Sequence, residues 1–256
     1  VRICLLQNDP VWEDPEASHR GIERLLDAAM AEGPPDLVAL PEMCATGFSM
    51  NARAIREPED GPTHRFLRDL ARTRSIHLLG TVVEESRTDP RLGRNTALLY
   101  APDGDIVARY TKIHPFSFLD EDRHYEKGDR IVTVDVAGFR AAIFICYDLR
   151  FPESFRRATL EQGANLFLVP ANWPTDRAEH WDLLLRSRAV ENLAYVAGIN
   201  RTGSGGGLRF DGRSQVIDPT GKVLARRTEG AGAVFAEIEV DRLRETRERF
   251  PFLDDA

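Results

Sequence analysis

Cys146 is the residue of this chain best placed to act as a nucleophile. It sits in residues 139–163, FRAAIFICYDLRFPESFRRATLEQG, between an apolar run at 141–145 and a helical pattern that opens on Pro152 and stops at Gly163. The run has the composition of a buried strand, and the helix is amphipathic through Phe155, Ala158 and Leu160. A thiol on such a turn is held stiffly and faces outward, and the peptide N–H groups around it can receive developing negative charge. The same placement also suits a packing cysteine, and the turn alone does not decide between them. A cysteine that attacks an acyl or nitrile carbon needs a base for its proton, a donor for the oxyanion, and a group to activate water. His114, His124, His180 and carboxylates at strand ends are the candidate bases. Among the carboxylates, Glu42 follows Leu-Pro after the apolar run 36–40, where a charge is costly without a polar partner. Lys112 lies in YTKIHPF, just past a strand, and is one of only 3 lysines beside 31 arginines. A lysine retained against that bias suggests a need for its own chemistry.

The elements that must position these residues alternate. Strands are predicted at 1–7, 36–40, 76–83, 96–101, 106–110, 131–136, 140–145, 165–169, 194–200, 214–217, 223–225 and 234–240. Helices are predicted at 15–31, 62–73, 152–162, 175–192 and 242–249. Asp176 followed by Glu179 suggests a variant capping box for the helix at 175–192. Residues 112–128 lack periodicity and are expected to be a long ordered loop, and residues 203–207, GSGGG, a flexible one. DLVALPE (36–42) and NLFLVPA (165–171) echo one another as buried strands cut off by proline. That echo suggests a duplicated layer arrangement, two sheets each backed by helices. No P-loop or dinucleotide fingerprint is present.

Composition narrows the partners. The 256 residues fit a single domain, 1–256, with 42% apolar and 29% charged residues. A net charge of −7 argues against nucleic acid and against an anionic membrane surface. Cys4, Cys44 and Cys146 are an odd, widely spaced set, neither a disulfide framework nor a zinc site, which fits a reducing cytoplasm. No apolar run approaches the roughly 18 residues of a membrane span. VRICLLQNDP lacks the plan of a signal peptide, and the start at Val1 implies that an initiator methionine precedes it.

LPEM (40–43), YTKIHPF (110–116) and ICYDLRFPE (145–153) together resemble, in order and spacing, the three signature segments of the nitrilase superfamily of carbon–nitrogen hydrolases. ANWP (171–174), residues 180–203 and VIDPTGKVLA (216–225) extend the likeness over nearly the whole chain. The resemblance implies a four-layer αββα sandwich of the α/β class and a catalytic set of Glu42, Lys112 and Cys146. It also implies a second glutamate, matched by Glu121 seven residues before Gly128. In the mechanism so implied, Glu42 takes the thiol proton, and Lys112 with the Tyr147 N–H holds the oxyanion. A thioester forms, Glu42 activates water, and Glu121 positions Lys112 and the substrate amide. No metal or organic cofactor has a role there, and a homodimer through the C-terminal segment is expected.

Within the superfamily, PANWP, HWDLLLRSRAVENLAYV and RERFPFLDD look most like omega-amidases, which act on terminal amides such as that of α-ketoglutaramate (2-oxoglutaramate). Such a small anionic substrate calls for a cation besides Lys112, with Arg150 and Arg123 as candidates. Arg150 has a competing reading as an ion pair with Asp148 or Glu153. Phe116 and Trp173 are expected to wall the pocket, whereas Cys4 and Cys44 are expected to pack. Deaminated glutathione or N-carbamoyl amino acid amidases are the alternative substrate classes, and a true nitrilase fits less well. A noncatalytic scaffold member and a papain-like Cys–His hydrolase are the alternatives of another class. A poised thiolate at Cys146 would be alkylated faster than the other two cysteines.

Overall fold

In the computed structural model, which describes residues 1–256, the first half of the chain builds one sheet and the second half another. The first half runs β1 (Arg2–Gln7), α1 (Pro15–Ala31), β2 (Leu37–Ala39), α2 (Ala52–Ile55), α3 (Pro62–Arg74), β3 (His77–Glu85), β4 (Gly93–Tyr100) and β5 (Ile106–Thr111). A 3-10 turn (Ser117–Leu119) and α4 (Glu121–His124) lead across to β6 (Thr133–Val136) and β7 (Phe139–Ile143). After a 3-10 turn at Cys146–Arg150 come α5 (Pro152–Gln162), β8 (Leu166–Ala171), α6 (Ala178–Asn192) and β9 (Tyr195–Asn200). The chain ends with β10 (Thr202–Gly205), β11 (Leu208–Asp211), β12 (Ser214–Ile217), β13 (Val223–Arg227), β14 (Gly232–Glu237) and α7 (Val240–Arg249).

The two large sheets repeat one plan. Their orders are β14-β1-β2-β3-β4-β5 and β6-β7-β8-β9-β12-β13. In each, three parallel strands are flanked by one antiparallel strand on one side and two on the other. The echoed segments fall on β2 and β8, the third strand of each sheet, so the sequence echo marks equivalent positions. Side-chain alternation explains the layers. On β1, Ile3 and Leu5 enter the 42-residue core shared with the second sheet. Cys4 and Leu6 turn the other way, into a 16-residue core with Ile22 and Leu26 of α1 and Leu67 and Leu70 of α3. Beyond the second sheet, Phe155 of α5 and Trp181 and Leu185 of α6 close the far side. The result is the expected αββα sandwich. No helix is long and apolar enough to cross a membrane.

Local signals set most boundaries. The Asp14 side chain accepts the Ala17 N–H at 2.9 Å and Pro15 opens α1. Pro152 opens α5, and Gly163, at φ +72°, ends it in the left-handed conformation. Several expectations are corrected. Asp176 caps nothing: residues 175–177 form a 3-10 turn, and α6 begins at Ala178 without a side-chain cap. Residues 203–207 belong to the β10–β11 hairpin rather than to a flexible loop. The long loop contains the 3-10 turn and α4, and the short helix α2 gave no periodic signal. β14 ends at Glu237, and α7 begins two residues before position 242.

Candidate active site

Sheet ends and the connections after them carry the reactive groups. Glu42 follows β2, where Pro41 stops the strand and its carbonyl accepts the Thr81 hydroxyl at 2.7 Å. The carboxylate is fully buried. Its Oε1 accepts Lys112 Nζ and Asn95 Nδ2, each at 2.8 Å, and its Oε2 accepts the Asn172 N–H at 2.9 Å. Lys112 follows β5 and is also buried, with its Nζ donating to Glu121 Oε1 at 3.0 Å and Oε2 at 2.8 Å. Glu121 opens α4, is fully buried, and takes the Phe116 N–H on Oε2 at 2.5 Å. Gly128 seals this connection: its N–H donates to the Lys112 carbonyl at 2.7 Å, and a Cβ there would stand 2.1 Å from the Thr111 carbonyl oxygen. Only glycine lets the chain return so close to the lysine's strand.

Cys146 opens its 3-10 turn at φ +47°, a left-handed conformation that costs a non-glycine residue energy and holds the side chain at the turn. Asp148 fixes that turn. Its Oδ2 accepts the Ile145 N–H at 2.8 Å and the Tyr110 hydroxyl at 2.6 Å, and its Oδ1 accepts the His114 N–H at 3.0 Å and Nδ1 at 2.7 Å. The cysteine turn is therefore tied to both sides of Lys112. Asn172 joins sulfur to carboxylate: its N–H donates to Glu42 Oε2, and its carbonyl accepts from Cys146 Sγ at 3.9 Å. Glu42 Oε1 takes two strong donors, whereas Oε2 takes the Asn172 N–H at 2.9 Å and, more weakly, its Nδ2 at 3.4 Å, so Oε2 is the less engaged oxygen.

Charges in this dry cluster shift one another. Burial alone would depress the Lys112 ammonium, but Glu121 and Glu42 hold it well above its ordinary range. Burial raises the Glu121 carboxyl above its usual 4.5, partly offset by Lys112. Burial and then the Glu42 charge push the Cys146 thiol well above 9.0, with Lys112 pulling the other way. Burial and Glu42 both favour the protonated sulfur, in keeping with a mechanism in which Glu42 takes the thiol proton. Cys4 and Cys44 are also raised, to about 12 and about 11, and both lie in the helix-side core. Cys44 Sγ donates to the Thr81 carbonyl at 3.3 Å. Selective alkylation of Cys146 therefore rests on access to the cleft, which only this cysteine lines.

A pH dependence follows. Because the Glu121 carboxyl is raised, it takes up a proton at a pH where an ordinary glutamate is still ionised, and it then loosens its hold on Lys112. Turnover is expected to fall on acidification with a midpoint above 4.5, while circular dichroism stays native, and to show no inflection near 9 from the thiol. A midpoint at or below 4.5 would contradict the assignment of Glu121.

Phe116, Tyr147, Arg150 and Trp173 all line the narrow cleft that Cys146 opens onto. Arg150 forms no ion pair with Asp148 or Glu153, because Asp148 turns inward to the four donors above. Its guanidinium lies 5.0 Å from the Trp173 ring and 3.1 Å from His180 Nδ1. Arg123 does not line the cleft and pairs with Asp120 at the exposed surface, 3.3 Å away. Among the histidines, His114 is engaged by Asp148, His180 by Arg150, and His124 is exposed. Sequence reasoning missed Asn95, Asn172 and the cleft residues Phe48, Arg177 and Leu208. Asn172 stands in the quoted ANWP segment, whereas Arg177 carried no signal among 31 arginines. No three His, Cys, Asp or Glu side chains are grouped so as to hold a metal ion, and the Lys112 ammonium fills the space between the two carboxylates.

Comparison with known proteins agrees with this geometry. The carbon-nitrogen hydrolase family model matches residues 2–248. The chain is 38% identical to the omega-amidase YafV of Yersinia enterocolitica, over all of this chain and 96% of that protein. It is 35% identical to the 2-oxoglutaramate amidase of Bacillus subtilis, over 99% of this chain and 96% of that one. The crystal structure of XC1258 from Xanthomonas campestris, a CN-hydrolase superfamily protein with an arsenic adduct in its active site, superposes with a TM-score of 0.94 at 36% identity. That match covers 100% of this chain and 97% of the other. With the sandwich, the buried carboxylate–ammonium cluster and the cysteine turn in place, these matches over the full length establish that the chain belongs to the carbon–nitrogen hydrolases of the nitrilase superfamily.

Proposed function

We propose that this protein is an omega-amidase that hydrolyses the terminal carboxamide of a small α-keto dicarboxylic monoamide, such as 2-oxoglutaramate, through a thioester on Cys146. The observation that carries the reading is the junction at Asn172, which is hydrogen-bonded both to the Cys146 sulfur and to the less engaged oxygen of Glu42, beside a cleft lined by two arginines. The names of the two relatives, an omega-amidase and a 2-oxoglutaramate amidase, support the same substrate class.

The chemistry follows from the charges. The Cys146 thiol gives its proton to Glu42 as the sulfur attacks the amide carbon, so no free thiolate has to exist beforehand. General-base assistance of this kind contributes about 10²–10⁴ in rate. Lys112 and the Tyr147 N–H receive the oxyanion. Glu42 returns the proton to the nitrogen as the C–N bond breaks, and ammonia leaves. Glu42 then takes a proton from water, which attacks the thioester, and release of the acid restores the thiol. Glu121 keeps the Lys112 ammonium charged and fixed in place throughout.

The test is ammonia release from 2-oxoglutaramate, glutamine, asparagine, an N-carbamoyl amino acid and a nitrile, measured side by side with Cys146→Ala as the blank. 2-Oxoglutaramate is expected to give the highest kcat/KM. Faster turnover of the carbamoyl compound or the nitrile would overturn the reading.

A further inference from the structure

The lining of the cleft holds positive charge with no acidic counter-charge. Two of its lining residues, Arg150 and Arg177, are cations, and none is Asp or Glu. The carboxylates nearest Arg177 in sequence, Asp176 and Glu179, are exposed and do not line the cleft. Glu42 and Glu121 do not line the cleft, and both are already occupied by buried donors, Glu42 by Lys112, Asn95 and Asn172 and Glu121 by Lys112 and Asn95. The Arg150 guanidinium is partly engaged by His180. That of Arg177 makes neither hydrogen bond nor ion pair in the fold, and it rests 5.4 Å from the Phe116 ring centroid. The two arginines are held in one frame, since Arg150 stacks on Trp173 and the Trp173 Nε1–H donates to the Arg177 carbonyl at 2.7 Å.

A ligand in this cleft meets aromatic walls, a thiol and an unpaired planar fork. A carboxylate can take that fork bidentately. An α-ammonium group finds no carboxylate to receive it and faces two cations. We propose that Arg177, absent from the sequence-derived candidates, is the specificity residue that grips the substrate's α-carboxylate beside Arg150. It thereby selects α-keto acid amides over α-amino acid amides such as glutamine. The proposal deepens the omega-amidase reading and rests on it.

The experiment reads binding apart from turnover. Iodoacetamide labelling of Cys146 is followed in the full-length protein while 2-oxoglutarate or glutamate is added, each variant being referred to its own rate without ligand. For wild type, 2-oxoglutarate is expected to protect at a concentration far below that needed of glutamate. In Arg177→Gln the half-protecting concentration of 2-oxoglutarate should rise about 10- to 100-fold, with Arg177→Lys recovering part of the loss. Arg177→Glu should narrow the preference for 2-oxoglutarate over glutamate further. Equal protection of wild type by the two acids, or an unshifted 2-oxoglutarate curve in Arg177→Gln, would overturn the proposal. Protection that depends on Arg177 without ammonia release from 2-oxoglutaramate would instead overturn the amidase reading and leave the carboxylate grip standing.

Discussion

Replacing Cys146 with alanine is expected to lower ammonia release from 2-oxoglutaramate on the order of 10⁶-fold while leaving the protein folded. The size of the loss follows from the absence of a substitute nucleophile. Cys44 and Cys4 belong to the core between the first sheet and its helices, and the other cleft residues offer no comparable group. Stability should change little. The substitution removes one sulfur, keeps the left-handed backbone strain of position 146, and leaves the Asp148 hydrogen bonds intact. A change of about 1 kcal/mol, or about 2–4 °C in Tm, is the expected scale. Substantial residual turnover by a folded Cys146→Ala protein would show that the sulfur is not the attacking atom.

Lys112→Met is expected to damage both activity and stability, and the two effects have separate origins. The buried ammonium sits between two fully buried carboxylates, Glu42 and Glu121, at 2.8 Å from each. Without it these charges face one another with only the Asn95 amide between them, at 2.8 and 3.1 Å. Breaking a buried ion pair on one side costs about 3–5 kcal/mol. Loss of an oxyanion donor lowers kcat by about 10²–10³ as well. The double variant Lys112→Met/Glu121→Gln separates the two effects. It should recover much of the melting temperature, because one uncompensated charge is gone, and none of the rate, because the donor is still missing. Recovery of rate along with stability would assign Lys112 a purely structural part.

The sequence disclosed what depends on local pattern. Alternation on β1 placed Ile3 and Leu5 opposite Cys4 and Leu6, and the proline-ended runs at β2 and β8 marked the duplicated sheets. Glu42, Lys112 and Cys146 each follow a strand: the cost of an unpartnered charge marks Glu42, scarcity among 31 arginines marks Lys112, and the strand-to-helix turn marks Cys146. The contacts that knit them together left no such trace. Asn172 meets Glu42 across 130 positions, and an asparagine after a strand has no periodicity to betray it. Of the two readings of Arg150, the local ion pair fails because Asp148 turns inward to Tyr110 and His114, a pairing that exists only once β5 and the cysteine turn are adjacent.

The central claim is that the acyl group of a terminal amide is transferred to Cys146 with loss of ammonia before water enters. Acid-quenched reactions of the wild-type enzyme with 2-oxoglutaramate, digested and read by mass spectrometry, test it most directly. The expected result is a 2-oxoglutaryl thioester on the peptide containing Cys146, diverted to the hydroxamate when hydroxylamine is present. Turnover with no acyl group on that peptide and no hydroxamate would contradict the account.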